Sequence, residues 1–141
     1  MDRKGSAVWQ GSIREGKGEV STESGVLKSV PYSFTSRFEH GAGTNPEELL
    51  GAAHAACFSM ALSGQLAGEK LTAERIATTA TVTIDKVEGG FGITKVHLAL
   101  EAKIPGADKA TFDRLAAAAK AGCPVSKLFN TTITLDAKLV G

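Results

Sequence analysis

Gly43-Thr44-Asn45-Pro46-Glu47-Glu48-Leu49-Leu50-Gly51-Ala52-Ala53-His54-Ala55-Ala56-Cys57-Phe58-Ser59-Met60-Ala61-Leu62 is the stretch whose reading decides the fold. It opens as a helix start. Asn45 offers a side-chain oxygen to the free amides, Pro46 has the fixed φ that suits a first helical position, and Glu48 stands three residues after the cap, as in a capping box. The helix is expected to run to about Ala67, with Gly68 as its stop. Nearly every position carries an apolar or small residue, as far as Leu66. A helix that is apolar all round must be covered on all sides. One chain of 141 residues with two or three helices can hardly do that alone. A sheet on one side and a partner subunit on another are therefore expected, and the alanines allow a second helix to come close.

Upstream, the first forty residues read as β-structure. Ala7-Val8-Trp9 opens one strand, Gly16-Lys17-Gly18 and Glu23-Ser24-Gly25 are turn signals around a second, and Tyr32 to Phe38 is a third, carrying Arg37. Downstream, Ala80, Val82 and Ile84 alternate with polar residues, Glu88-Gly89-Gly90 makes a turn, and Val96, Leu98, Leu100, Ala102 and Ile104 alternate on the return. Period two on both arms marks a half-buried hairpin. Phe112, Leu115, Ala116 and Ala119 follow helical spacing from about Asp108 to Ala121, Cys123-Pro124-Val125-Ser126 begins a short further turn, and Ile133, Leu135, Ala137 and Leu139 alternate in a last strand. Strands grouped before and after helices indicate an α+β fold. No repeat or shift in composition divides residues 1–141, which read as a single domain.

Composition narrows the function. Sixteen Lys and Arg against fifteen Asp and Glu leave a formal charge of +1, so no basic excess points to nucleic acid. The N-terminus lacks the apolar segment and cleavage site of a signal peptide, which makes the cytoplasm the expected compartment. The apolar run from Leu49 to Gly68 contains His54, Ser59, Ser63 and Gln65 and begins at two glutamates, so it reads as a buried core helix rather than a membrane span.

Two cysteines occur, Cys57 and Cys123. In a reducing compartment a cysteine pair is catalytic, redox-active or metal-binding more often than structural, although a single free cysteine is commonly a small apolar filler. Structural zinc wants four clustered Cys or His ligands, and no CxxC or HxxxH is present. Cys123 stands at a helix break before proline, where outward amides stabilise a thiolate. A reactive thiolate also needs positive charge nearby, and Arg37, between Phe34 and Phe38, is a candidate source. On the residues alone an exposed sheet arginine is the simpler reading. Glu47 and Glu48 are equally explained as favourable charges in a first helical turn. His54, three residues before Cys57, lies near the same helix face and reads as a packed or hydrogen-bonded histidine before a base.

Taken together, Gly43 to Leu50 with Ala52-Ala53-His54-Ala55-Ala56-Cys57-Phe58 resembles the signature around the first cysteine of the osmotically inducible protein/organic hydroperoxide resistance family (OsmC/Ohr). Cys123-Pro124-Val125-Ser126-Lys127 resembles the segment around that family's second cysteine. The order of elements and the length agree over nearly the whole chain. Phe34-Thr35-Ser36-Arg37-Phe38 and the segment at Cys123 look more like the OsmC branch.

The resemblance implies an intertwined α+β homodimer, its sheets wrapped around long central apolar helices. It implies thiol-dependent reduction of organic hydroperoxides, and more weakly of hydrogen peroxide, with no cofactor. Cys57 would be the peroxidatic cysteine, Cys123 the resolving one, Arg37 the arginine that holds the thiolate and Glu47 the acid paired with it. An external dithiol, a dihydrolipoyl protein by family likeness, would recycle the disulfide. Readings of another class on the same fold are a thiol redox sensor and an apolar-ligand-binding module. Candidate apolar lining comes from Phe34, Phe38, Leu49, Leu50, Phe58 and Met60. Spacing adds a constraint: ten residues of helix rise about 15 Å, so Glu47 and Cys57 cannot share one arginine along a straight helix. Either the helix breaks near its start or the site joins residues of two chains, and the second is expected.

Overall fold

The computed structural model describes residues 1–141. They divide into two compact units, 1–49 and 50–141. The first holds an antiparallel meander of β1 (Gly5–Gln10), β2 (Lys17–Thr22) and β3 (Val30–Tyr32). In its register Gly18 stands opposite both Trp9 and Tyr32. A Cβ on Gly18 would lie 2.3 Å from the Tyr32 ring and 2.8 Å from the Trp9 ring. Glycine there lets the two aromatics meet with centroids 5.4 Å apart.

The third strand is shorter than its aromatic residues suggest, and Arg37 is not on it. After Tyr32 the chain turns into a short helix, α1 (Phe34–Phe38). Ser33 caps it: the Ser36 amide donates to Ser33 Oγ at 3.1 Å, and the Ser33 amide donates to Ser36 Oγ at 2.8 Å. This reciprocal box satisfies two backbone donors and outweighs the strand preference of Phe34 and Phe38.

The long helix α2 (Pro46–Gly68) begins where the sequence places it. The Glu48 amide donates to Asn45 Oδ1 at 2.9 Å. The Glu48 carboxylate does not close a box; it accepts from Thr44 Oγ1 at 2.8 Å. The helix is continuous to Gly68, so the expected alternative of a break near its start falls away. Its end at Gly68 agrees with expectation, but glycine is not the residue in the left-handed position. Lys70, at φ 59, takes the left-handed position, while the Leu71 amide reaches Leu66 O and the Lys70 amide reaches Ala67 O. These are the paired bonds of a Schellman stop, with a lysine where glycine is usual.

In the second unit β4 (Arg75–Val87) and β5 (Gly90–Lys103) form the expected hairpin, turning through Glu88 and Gly89, with a register shift at Thr83/Ile84. After β5 come α3 (Lys109–Gly122), capped by Asp108, and α4 (Pro124–Leu128). The chain then returns as β6 (Thr132–Val140), parallel to β5. Such a parallel return requires a crossover, which the two helices supply. His97 ties β5 to β6: its Nδ1 lies 2.6 Å from Thr134 Oγ1 and its Nε2 3.3 Å from Asp136.

Central β5 presents Val96, Leu98, Leu100 and Ala102 as one buried row, which Ile104 continues just past its end. Phe112, Leu115, Ala116 and Ala119 of α3 and Phe58, Leu62 and Leu66 of α2 complete the core. Gly51 lets α2 approach β4; a Cβ there would sit 2.9 Å from Ala80 O. The buried stripe of α2 is therefore Gly51, His54, Phe58, Leu62 and Leu66, while Ala52, Ala53, Ala56 and Ala67 are exposed and Met60 is 78% exposed. Length and composition would also suit α2 to a membrane, but a stripe packed in a protein core is the behaviour of a core helix. The sheet covers one side of it, as expected, and an apolar side stays open.

Lys70→Gly should raise stability by about 1 kcal/mol, because a side chain in the left-handed region costs that much and glycine does not. Urea unfolding of the two proteins, compared at equal slope, checks it.

Candidate active site

The sequence-predicted residues fall into two clusters. The first is an ion pair built on the α1 turn and the start of α2. Arg37 Nη2 donates to Glu47 Oε1 at 2.7 Å, and Nε lies 3.2 Å from each carboxylate oxygen. Such a two-point contact fixes the plane of the guanidinium. Glu47 is buried, whereas the Arg37 side chain keeps 37% of its surface exposed. The carboxylate thus acts as an anchor and the arginine as the presented group. Its position depends on the capping residues: Ser36 Oγ donates to Thr44 O at 2.7 Å, and Asn45 Nδ2 donates to Ser36 O at 3.1 Å, locking α1 to the head of α2.

Beside Arg37 lies an apolar groove of about 240 Å³, lined by Trp9, Ile13, Tyr32, Ser33, Phe34 and Phe38. Phe34 and Phe38, expected as lining, are there. Trp9 and Tyr32 line it too. Phe58 belongs to the buried core instead, and Met60 lies exposed on the open side of α2.

The second cluster lies wholly within the second unit. Cys57 is half-buried on α2, and Cys123, fully buried, caps α4. The two free thiols are neighbours: Cys57 packs against the buried cluster that holds Cys123, and both Cys123 and the Val125 backbone act on its thiol. Burial pushes the Cys57 thiol up from its ordinary range, the Val125 amide pulls it down, and the neighbouring Cys123 pushes it up again, for a net rise within this chain. A thiol so placed needs a positive charge from elsewhere to ionise readily.

Around Cys123 the structure adds Ser126 and His54, the latter packed and hydrogen-bonded as expected. The Cys123 thiol donates to Ser126 Oγ at 3.1 Å, and the Ser126 amide lies 3.4 Å from the sulfur. Ser126 Oγ in turn lies 2.7 Å from His54 Nε2. His54 is fully buried, its ring set edge-on against Phe129 at 5.2 Å, and its Nδ1 has no partner. Burial lowers its pKa, holding the ring neutral. The one signal in the sequence was the three-residue spacing of His54 from Cys57; nothing there joined His54 to Ser126, seventy-two positions away.

Comparison with known proteins gives consistent results. A family model described as OsmC-like protein matches residues 39–138. A protein named peroxiredoxin OsmC from Escherichia coli is 58% identical over 139 residues, covering 99% of this chain and 97% of its own. An organic hydroperoxide resistance protein from Xanthomonas axonopodis pv. citri is 37% identical over 100 residues, 67% of this chain and 68% of its own. Among solved structures, an OsmC-like protein from Mycoplasma pneumoniae matches with a TM-score of 0.76 over 100% of this chain and 99% of its own, at 15% identity. That last likeness shows the shared α+β fold.

Brief treatment of the reduced, folded protein with iodoacetamide should label Cys57, which is partly exposed, and spare Cys123, which is not. Peptide mass spectrometry checks the order, and labelling of Cys123 should appear only with added denaturant.

Proposed function

The chain belongs to the OsmC-like protein family, and on that premise we propose that its peroxidase chemistry runs through Cys57 and Cys123. The protein is a thiol-dependent peroxidase that reduces organic hydroperoxides. The observation that carries the residue assignment is that the two free thiols are neighbours, the half-buried one on α2 packed against the cluster that holds the fully buried one at the cap of α4.

The cycle has three balanced steps. The Cys57 thiolate attacks the hydroperoxide, the O–O bond breaks, and an alkoxide leaves to be protonated as the alcohol, with Cys57 left as a sulfenic acid. The Cys123 sulfur then attacks the sulfenic sulfur, forming a disulfide and releasing water. An external dithiol returns both cysteines to thiols by exchange and becomes a disulfide itself. A dihydrolipoyl protein is the reductant we favour, and a cytoplasmic setting suits a cycle that ends on free thiols.

The charge that ionises Cys57 comes, in this reading, from the Arg37–Glu47 pair of a second copy. Support for that comes from the continuous helix, along which Glu47 and Cys57 are separated by about 15 Å of rise, and from the apolar side of α2 that one chain leaves uncovered. Packed against its mate, that side would be buried, and the 141 residues would function as one OsmC-like domain in a homodimer. Arg37 would favour the thiolate and stabilise the charge growing on the departing oxygen. The groove beside Arg37 would take the alkyl or aryl part of the peroxide, which is why an organic hydroperoxide is preferred to hydrogen peroxide.

One equivalent of cumene hydroperoxide should lower the intact mass by two hydrogens, mapped to a Cys57–Cys123 link. Cys57→Ser should abolish dithiol-supported turnover, and Arg37→Met should slow the first step by about 10²-fold, the scale of losing one charged stabiliser of a transition state. Full activity in the Cys57 variant would overturn the proposal.

A further inference from the structure

Resolution of the sulfenic acid makes a demand that the proposed cycle leaves unmet. Cys123 must lose a proton before its sulfur can attack, and a thiol with no exposed surface cannot give that proton to bulk water. Its hydrogen is donated to Ser126 Oγ, at 3.1 Å. A serine hydroxyl is too weak a base to keep it, but Ser126 Oγ is itself 2.7 Å from His54 Nε2. The three groups form an unbroken chain from sulfur to imidazole, inside the protein, bridging α4 and α2. Resting on the cysteine assignment above, we infer that Ser126 and His54 are a proton relay that serves the second step, with Ser126 as a catalytic residue at the sulfur and His54 as the positioning base behind it.

The step balances as follows. The Cys123 proton passes to Ser126 Oγ while the Ser126 proton passes to His54 Nε2, leaving a thiolate and an imidazolium. The thiolate then receives hydrogen bonds from the Ser126 hydroxyl and, at 3.4 Å, from the Ser126 amide. Its electron pair forms the S–S bond with Cys57 as the S–O bond of the sulfenic acid breaks. Cys123 is oxidised, the sulfenic sulfur is reduced, and the departing hydroxide recovers the proton held by the imidazolium, so one water leaves and His54 returns neutral.

Two observations make a purely structural role for His54 a poor account. A fully buried ring with an unpartnered nitrogen is costly, and an apolar side chain would fill the same space against Phe129 without that cost. The ring is also held neutral by its burial, which is the state a base requires. The charged groups on the surrounding elements are exposed or engaged: Lys127 on α4 and the charged residues of β4 and β5 are exposed, half-buried His97 is engaged with Thr134 and Asp136, Lys120 on α3 is half-buried, and Glu47, seven residues earlier on α2, is held by Arg37. The titratable groups within reach are Cys123, through Ser126, and Cys57, one turn further along α2. In the proposed dimer the next charge is the Arg37–Glu47 pair of the second copy.

The test separates the two steps in a single turnover. One equivalent of cumene hydroperoxide is mixed with reduced protein, and samples are quenched for the loss of the Cys57 thiol, for sulfenic acid trapped by dimedone, and for the disulfide. In Ser126→Ala and His54→Gln the Cys57 thiol should disappear at the wild-type rate, while sulfenic acid persists about tenfold to a hundredfold longer at pH 7. Ser126→Thr, which keeps the hydroxyl, should restore rapid closure. In the wild type the rate of disulfide formation should be nearly level above about pH 6.5, where the buried imidazole is neutral. In the two relay variants it should climb with pH toward the ordinary thiol range near about 8.5. Variants that close the disulfide at the wild-type rate and with the wild-type pH profile would overturn the relay, and so would variants that slow both steps alike. A wild-type protein that forms no Cys57–Cys123 disulfide at all removes the cysteine assignment and the relay with it.

Discussion

Burial of one stripe of α2, from Gly51 through His54, Phe58 and Leu62 to Leu66, is the constraint on which the rest of the second unit depends. It fixes the rotation of the helix about its axis. With Phe58 and Leu62 in the core beside the apolar row of β5, Cys57 has to lie at the edge of the stripe, partly exposed, and His54 has to point inward. The same core holds α3, and the end of α3 delivers Cys123 and the α4 turn to the place where Cys57 and His54 already are. Burial of these side chains, at about 25 cal/mol per Å² of apolar surface, therefore does more than stabilise the unit. It sets the angular position of every reactive group on α2.

The two clusters are electrostatic opposites. Arg37 and Glu47 form a charged pair in which one partner is buried and the other half-exposed, so the carboxylate is stabilised by a fixed two-point contact and the guanidinium remains available. Cys57, Cys123, Ser126 and His54 form a network of neutral groups, where burial raises one thiol and keeps the imidazole uncharged. In the proposed cycle, a site that produces a thiolate on demand would be well served by keeping its protons on a buried hydrogen-bonded chain and its fixed positive charge on a separate element.

Most of the fold was legible because its signals are local. Asn45, Pro46 and Glu48 mark the start of α2 within four residues, and the period-two rows at Val96 to Ile104 and Ile133 to Leu139 mark β5 and β6. Where the reading failed, a short-range side-chain bond had overridden propensity. Aromatic residues at 34 and 38 look like strand, yet the Ser33–Ser36 box turns them into α1 and moves Arg37 onto a helical turn. Gly68 does end α2, yet the left-handed residue that closes it is Lys70 and not the glycine. Of the site, Cys57, Cys123, Arg37 and Glu47 were reached through their motifs, and residue spacing alone justified none of them. The contacts of His54 were not legible at all, since they join helices that only the core brings together.

During translation β4 and β5 leave the ribosome one after the other and can zip at once, because their pairing is that of a local hairpin. The other neighbour of β5 is β6, and it emerges only after α3 and α4 have been made. For that interval the growing chain carries a long strand with one open edge together with an apolar helix whose packing is incomplete. Both features invite association with other nascent chains. The interval between synthesis of Lys103 and Thr132 is thus the one in which a ribosome-bound chaperone would have the most to shield.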